Sequence, residues 1–251
     1  MKAMIFAAGL GTRLRPLTHN IPKALVEVHG KPMLEWVILR FISYGIKNII
    51  INLYHHADQI IDFLKSKNNF GINIELSLEE MLLDTGGGLK KAAWFFKNER
   101  SFFIQNSDIL TNIDLRKMFA HHTHTQSDVT LSTRSRMTSR YLLFKPDQTL
   151  CGWKNINDNK YIWVHEPINE YTELAFSGIH LLSTAVLNDL STQSVFPIIP
   201  EYLRLAKKYK ITSFNSDAYK WSDLGNKSNL SDVTNIFSEN YFLSLLKYYQ
   251  A

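Results

Sequence analysis

Short apolar runs alternate with helix-patterned segments through the first hundred residues, and this alternation limits the available folds more than any other feature. Ala3–Ala8 is continuously apolar, as a strand buried on both faces requires. Met33–Tyr44 places apolar residues at helical spacing, with Gly45 following as a C-terminal cap. Lys47–Leu53 (KNIIINL) reads as a second buried strand, Ala57–Leu64 as a helix and Ile72–Leu78 as a third strand. A helix is expected after Gly88 through Phe96, then a strand over Ser101–Gln105. Strand and helix in strict succession, with short connections, predict a Rossmann-like, mostly parallel sheet with helices on both faces.

The remainder is less regular. Strands are expected over Asp128–Thr133, Arg140–Phe144, Leu174–Leu182 and Ile211–Asn215, and helices over Pro200–Lys208 and roughly Ile236–Tyr249. No repeat or linker interrupts the 251 residues. We therefore expect one α/β domain. Its nucleotide-binding half covers about 1–115, and a smaller half with the C-terminal helix covers about 116–251.

A parallel sheet binds ligands at the carboxyl ends of its strands. Gly9-Leu10-Gly11-Thr12-Arg13-Leu14-Arg15-Pro16 lies at that edge. A dinucleotide fingerprint wants glycine or alanine where Leu14 stands, and an immediate helix where Pro16 intervenes; the P-loop Gly-Lys-Ser/Thr is absent. What remains is a glycine loop whose amides can approach phosphate oxygens, carrying its own cation in Arg13. Pro22-Lys23 adds a second cation ten residues on. Asp108 follows a short apolar strand at the same edge, and Asp223 ends the strand-like Lys220-Trp221-Ser222. Either aspartate alone reads as a helix cap or a turn residue; together they suit Mg²⁺, which takes one or two carboxylates plus phosphates and water.

Net charge is +5 with pI about 9.1. That suits anionic ligands but is too small and dispersed to argue for nucleic acid. Arg134, Arg136 and Arg140 form the largest basic cluster, open to readings as a solvated loop or a phosphate patch. The single Cys151 excludes an internal disulfide framework, which makes a reducing, cytoplasmic setting the expectation. No apolar stretch approaches the roughly 20 residues a membrane span needs. His55-His56 and His121-His122-Thr123-His124 lack the ligand pattern of a metal site and read as exposed helix positions. Phe237, Tyr241, Phe242, Tyr248 and Tyr249 suit packing of the last helix, with a homodimer contact as the alternative.

Gly9 to Lys23 resembles the N-terminal signature Gly-x-Gly-Thr-Arg-Leu-x-Pro-Leu-Thr…Pro-Lys of the sugar-1-phosphate nucleotidylyltransferase superfamily. Asp84-Thr85-Gly86-Gly87-Gly88, Asn106-Ser107-Asp108 and Trp221-Ser222-Asp223-Leu224-Gly225 extend the resemblance over nearly the whole chain. The Thr-Gly-Gly-Gly version is most similar to N-acetylmuramate-1-phosphate uridylyltransferases, with mannose- and heptose-1-phosphate guanylyltransferases also close. The resemblance implies transfer of a nucleotidyl group from an NTP to a sugar 1-phosphate, with UTP and N-acetylmuramate 1-phosphate as the first expectation. Guanylyl transfer, a choline-phosphate cytidylyltransferase and a non-catalytic NDP-sugar binder are the alternatives.

By the same resemblance, Gly9, Leu10, Gly11, Thr12 and Arg13 wrap the triphosphate, and Lys23 contacts the phosphates near the reacting phosphorus. Thr85, Gly86 and Asn106 belong to the nucleotide side, and Asp108 and Asp223 hold Mg²⁺. Ser177 and Gly178 line the sugar pocket. The chain departs from the pattern at Ser107, where glycine is usual, and at His165-Glu166-Pro167, where relatives carry Glu-Lys-Pro. The missing lysine leaves the sugar phosphate without its expected cation, and Arg140 offers a substitute.

Overall fold

The computed structural model describes residues 1–248. The strands are β1 (Lys2–Phe6), β2 (Glu27–Val28), β3 (Lys31–Pro32), β4 (Asn48–Leu53), β5 (Asn73–Leu78), β6 (Ser101–Asn106), β7 (Ile109–Thr111), β8 (Val129–Arg134), β9 (Arg140–Phe144), β10 (Leu150–Asn155), β11 (Lys160–Trp163), β12 (Thr172–Ser183), β13 (Ile211–Asn215) and β14 (Trp221–Asp223). The helices are α1 (Met33–Ser43), α2 (Ala57–Ser66), α3 (Asp84–Ala92), α4 (Leu115–His124), α5 (Ile198–Leu205), α6 (Lys227–Ile236) and α7 (Glu239–Leu246). They fall into two compact units that interleave along the chain. One comprises residues 1–82, 104–113 and 220 onward; the other comprises 83–103 and 114–219.

In the first unit β1 pairs in parallel with β4, and β4 with β5, as the apolar runs predict. Ala3, Met4, Ile5, Ile49, Ile50 and Ile51 are fully buried, so each strand loses water from both faces. Two polar side chains and one backbone amide stitch the strand ends that carry the glycine loop. Ala7 N donates to Asn52 Oδ1 at 3.0 Å, and Asn52 Nδ2 donates to Glu79 Oε1 at 2.7 Å. Helix α1 ends where Gly45 takes a φ of +77°.

Helix α1 is buried along nearly its whole length, including Glu35 and Arg40. Lys31 Nζ meets Glu35 at 2.6 Å. Arg40 donates to Gln105 Oε1 and to Ile113 O, both at 2.6 Å, and Gln105 Nε2 donates to Ile109 O at 2.8 Å. This buried chain braces the turn between β6 and β7. The expected last helix is α7, which starts three residues later than expected, and α6 before it is absent from the sequence expectation; the two are separated at Phe237-Ser238, where the backbone is extended. Phe242 of α7 stacks on His29 at 4.3 Å and meets Trp36 at 4.7 Å, which accounts for its burial. Tyr248 is exposed, and Tyr249 lies outside the described residues.

In the second unit pairing is largely antiparallel. β9 pairs with β10 and β12, β10 with β11, and β12 with β8; only β13 joins β8 in parallel. The β10–β11 hairpin is absent from the sequence expectation. Helix α3 starts at Asp84, four residues before the expected boundary, and contains all three glycines. Close packing explains it. A Cβ on Gly86 would lie 2.3 Å from the Phe196 ring, and one on Gly87 would lie 2.2 Å from Ser194 O. The facing segment is tied down by Lys90, whose Nζ donates to Ser191 O, Thr192 O and Gln193 O at 2.8, 2.9 and 3.1 Å.

The histidines of α4 are not all exposed. His122 is buried, with Nδ1 2.9 Å from Thr130 Oγ1, and burial pushes it down to about 4. Among the described residues no three metal-ligating side chains gather, at these histidines or elsewhere. Among the same residues, no helix is long and apolar enough to cross a membrane.

Candidate active site

In the first unit the loop after β1 turns sharply at Gly11, whose φ is +65°. Only glycine fits there on a second ground as well: a Cβ would sit 3.0 Å from both Lys23 Cβ and Thr18 Cγ2. Thr18 Oγ1 donates back to Gly11 O at 2.7 Å and closes the loop. Gly9 faces open space, with nothing within 4 Å of its Cβ position. Leu10, Thr12 and Arg13 are exposed. The loop thus presents its backbone and the Arg13 guanidinium to solvent, on a frame fixed from beneath.

Lys23 and Asp108 form an ion pair across 85 residues, with side-chain exposures of 15% and 12%. Asp223 arrives from the other side. β14 pairs antiparallel with β7, matching Asp223 to Ile109, and Leu224 N donates to Asp108 O at 2.8 Å. Asp223 Oδ1 accepts from Gly225 N at 2.8 Å, and Asn229 Nδ2 holds the Asp223 carbonyl at 2.7 Å. Gly225 locates the centre of the cluster. A Cβ built there would lie 2.7 Å from an Arg13 guanidinium nitrogen, 2.7 Å from Asp223 Oδ1 and 2.8 Å from Lys23 Nζ. Arg13, Lys23, Asp108 and Asp223 therefore converge on one place, at the ends of β1 and β14 and in the turn after β6. Asn106 closes β6 two residues before Asp108.

Two positive and two negative side chains in one cluster combine cations that can meet phosphate oxygens with carboxylates that can meet a divalent ion. The carboxylates are hard oxygen donors, the donor chemistry that Mg²⁺ prefers. The bracing residues Arg40 and Gln105 escape sequence reasoning, because nothing in their local pattern distinguishes them from other polar positions. Gly225 carried a motif signal, but its role as the point of contact emerges only in three dimensions.

The second unit contains a cavity of about 400 Å³. Thr85, Arg136, Thr138 and Arg140 supply its polar lining, and Leu142, Trp153, Ile162 and Phe176 form the sheet side. Pro197, Ile199, Pro200 and Leu203 line it from the start of α5. Thr85 and Arg140 thus stand at one cavity. Gly86 does not offer its amide there, since its N–H donates to Phe196 O at 2.9 Å and its Cα packs against the Phe196 ring. Ser177 is also placed otherwise than expected. It is fully buried, with its Oγ 3.4 Å from Ser216 Oγ, and its neighbour Phe176 lines the cavity instead. Alternation along β12 sends the two to opposite faces. Gly178 has a φ of +77° within an irregularity that shifts the β12–β8 register, so it serves the strand's bend rather than the cavity wall.

The chain is 29% identical over 230 residues to a mannose-1-phosphate guanyltransferase of Gibberella zeae, covering 90% of this chain and 61% of that protein. It is 26% identical over 243 residues to mannose-1-phosphate guanyltransferase 2 of Candida glabrata, covering 96% and 65%. The chain thus spans less than two thirds of the length of these relatives. Among solved structures, HddC from Yersinia pseudotuberculosis complexed with GMP-PN matches with a TM-score of 0.72 at 24% identity, over 93% of this chain and 98% of that one. The inositol-1-phosphate CTP transferase from T. maritima matches with a TM-score of 0.74 at 12% identity, over 98% and 95%. These two likenesses carry the fold, a mostly parallel Rossmann-like sheet with helices. The Nucleotidyl transferase family profile matches residues 2–240, and the chain belongs to that family.

Proposed function

We propose that the protein transfers a nucleotidyl group from an NTP to a sugar 1-phosphate, releasing pyrophosphate, with a guanosine nucleotide as the preferred donor. The carrying observation is the convergence of Arg13, Lys23, Asp108 and Asp223 at Gly225. A phosphate oxygen of the acceptor attacks the α-phosphorus. The bond from that phosphorus to the bridging oxygen breaks, and pyrophosphate leaves with the electron pair. The attacking phosphate is already anionic, so no strong base is needed, and catalysis consists of positioning and charge neutralisation. Arg13 neutralises the departing pyrophosphate, and Lys23 exchanges its carboxylate partner for an α-phosphate oxygen. Asp108 and Asp223 would hold Mg²⁺, which supplies Lewis-acid neutralisation of the phosphates. Two carboxylates leave the rest of its shell to substrate oxygens and water.

The relatives named as mannose-1-phosphate guanyltransferases favour the guanylyl reading over the uridylyl and N-acetylmuramate expectation. A cationic acceptor such as choline phosphate is disfavoured by the two arginines of the second-unit cavity, which suit an anion. In that cavity Arg140 takes the role the missing lysine at Glu166 leaves vacant.

A matrix of the four NTPs against mannose, heptose, glucose and N-acetylmuramate 1-phosphates, read by pyrophosphate release, tests the reading. Turnover with GTP and a sugar 1-phosphate is expected. Binding of NDP-sugar without pyrophosphate release from any pair would identify a non-catalytic relative and overturn it.

A further inference from the structure

The second-unit cavity has an unusual balance for a site meant for a hydroxyl-rich ligand. Leu142, Trp153, Ile162 and Phe176 give it an apolar sheet side, continued by Ile199 and Leu203. Several of these are only partly buried, Ile162 being 36% exposed, so the apolar wall is open to a ligand rather than closed in the core.

The polar lining is largely committed elsewhere. Thr85 Oγ1 accepts the Ile198 amide at 3.0 Å and lies 3.2 Å from Asp84 Oδ1. Thr138 Oγ1 accepts the Arg140 amide at 3.3 Å, and an Arg136 guanidinium nitrogen donates to Phe176 O at 3.3 Å. Arg140 is exposed and lines the cavity. The lining therefore offers charge for one anionic group and a broad apolar surface, with few acceptors for sugar hydroxyls. A hydroxyl pressed on such a wall loses water without gaining a partner, whereas a methyl group gains by leaving water.

We propose that this cavity selects a sugar 1-phosphate in which a hydroxyl of the parent hexose gives way to a methyl-ended group, either the exocyclic methyl of a 6-deoxy sugar or an N-acetyl substituent. The anionic group faces Arg140, and the methyl lies on Trp153 and Ile162. This rests on the acceptor reading given above and narrows it to a substrate class. A fully hydroxylated hexose 1-phosphate is then the weaker ligand.

The test is direct binding by calorimetry to the whole protein, without NTP, of matched pairs. One pair is a 6-deoxyhexose 1-phosphate against its parent hexose 1-phosphate; the other is an N-acetylhexosamine 1-phosphate against the same parent. One methyl group against an apolar wall is worth about tenfold to a hundredfold. At least one methyl-bearing member should bind about tenfold tighter, and the pair that responds tells deoxy from acetyl. Ile162→Asn lies at a partly exposed strand position that tolerates a polar residue, and it should erase the preference while the thermal midpoint stays near wild type. Trp153→Ala should lower affinity for both members. Equal affinity within both pairs, tighter binding of the hydroxylated parent, or no binding of any member overturns the proposal. The nucleotidyl-transfer reading fails separately, by absence of pyrophosphate release with every acceptor.

Discussion

Lys23 holds Asp108, one of the two carboxylates suited to a divalent cation, in an ion pair. If that carboxylate holds the proposed cation, the ammonium and the metal would compete for it. Lys23→Met should therefore strengthen Mn²⁺ binding in the absence of nucleotide, followed by electron paramagnetic resonance, while lowering turnover about 10²- to 10³-fold. Asp108→Asn should lower turnover similarly and weaken Mn²⁺ binding. Unchanged Mn²⁺ affinity in Lys23→Met would show that the pair does not compete with metal.

Gly225→Ala should disable the cluster without unfolding the protein. The added Cβ would fall 2.7 Å from both the Arg13 guanidinium and Asp223 Oδ1. Displacements near 1 Å at a reacting centre cost about 10²-fold in rate. Steady-state kinetics should show the loss in kcat with an unchanged urea midpoint.

Gly87→Ala sets two effects of opposite sign against each other. Alanine in a helix interior favours folding by about 1 kcal/mol over glycine. The new methyl would lie 2.2 Å from Ser194 O, a backbone atom, and overpacking costs about 1–3 kcal/mol. Overpacking should win, and the urea midpoint should fall. A raised midpoint would mean that the 191–197 segment yields.

Two buried histidines make stability depend on acid. Burial pushes His122 down to about 4 and His180 down to about 3, from an ordinary value of 6.5. His180 Nδ1 lies 2.8 Å from the Tyr202 hydroxyl. Below pH 6.5 the unfolded chain binds protons that the folded chain refuses, so unfolding becomes easier as pH falls from 6.5 toward 4. Above pH 6.5 both states are neutral and the contribution is flat. His122→Gln should flatten the urea midpoint against pH between 6.5 and 4, relative to wild type.

Much of the first unit is legible in sequence because β1, β4 and β5 are continuous or alternating apolar runs, whose meaning does not depend on distant partners. The four charged residues stood out through their motifs, but only Asp108 and Asp223 also lie at or just past a strand end; the proximity of Arg13 and Lys23 to them is set by the loops. The glycine-bearing start of helix α3 was not legible, because glycine propensity argues against a helix that packing on Phe196 and Ser194 imposes. Nor was helix α6, because Lys227–Ile236 is mostly polar and buries only Val233, so no apolar stripe marks it. Ser177 was displaced by a single step of strand alternation. Arg40 and Gln105 were invisible because their meaning is a hydrogen bond across 65 residues.

The three carbonyls gathered by Lys90 have an effect beyond the fold. They belong to the segment that runs into Pro197, where the cavity wall begins. One ammonium group thus holds that wall in a single arrangement, on which the proposed acceptor would dock. Lys90→Met would release the segment into several conformations, and the acceptor would then have to select the competent fraction. Apparent acceptor affinity would fall in proportion to that fraction, with affinity for the nucleotide unchanged.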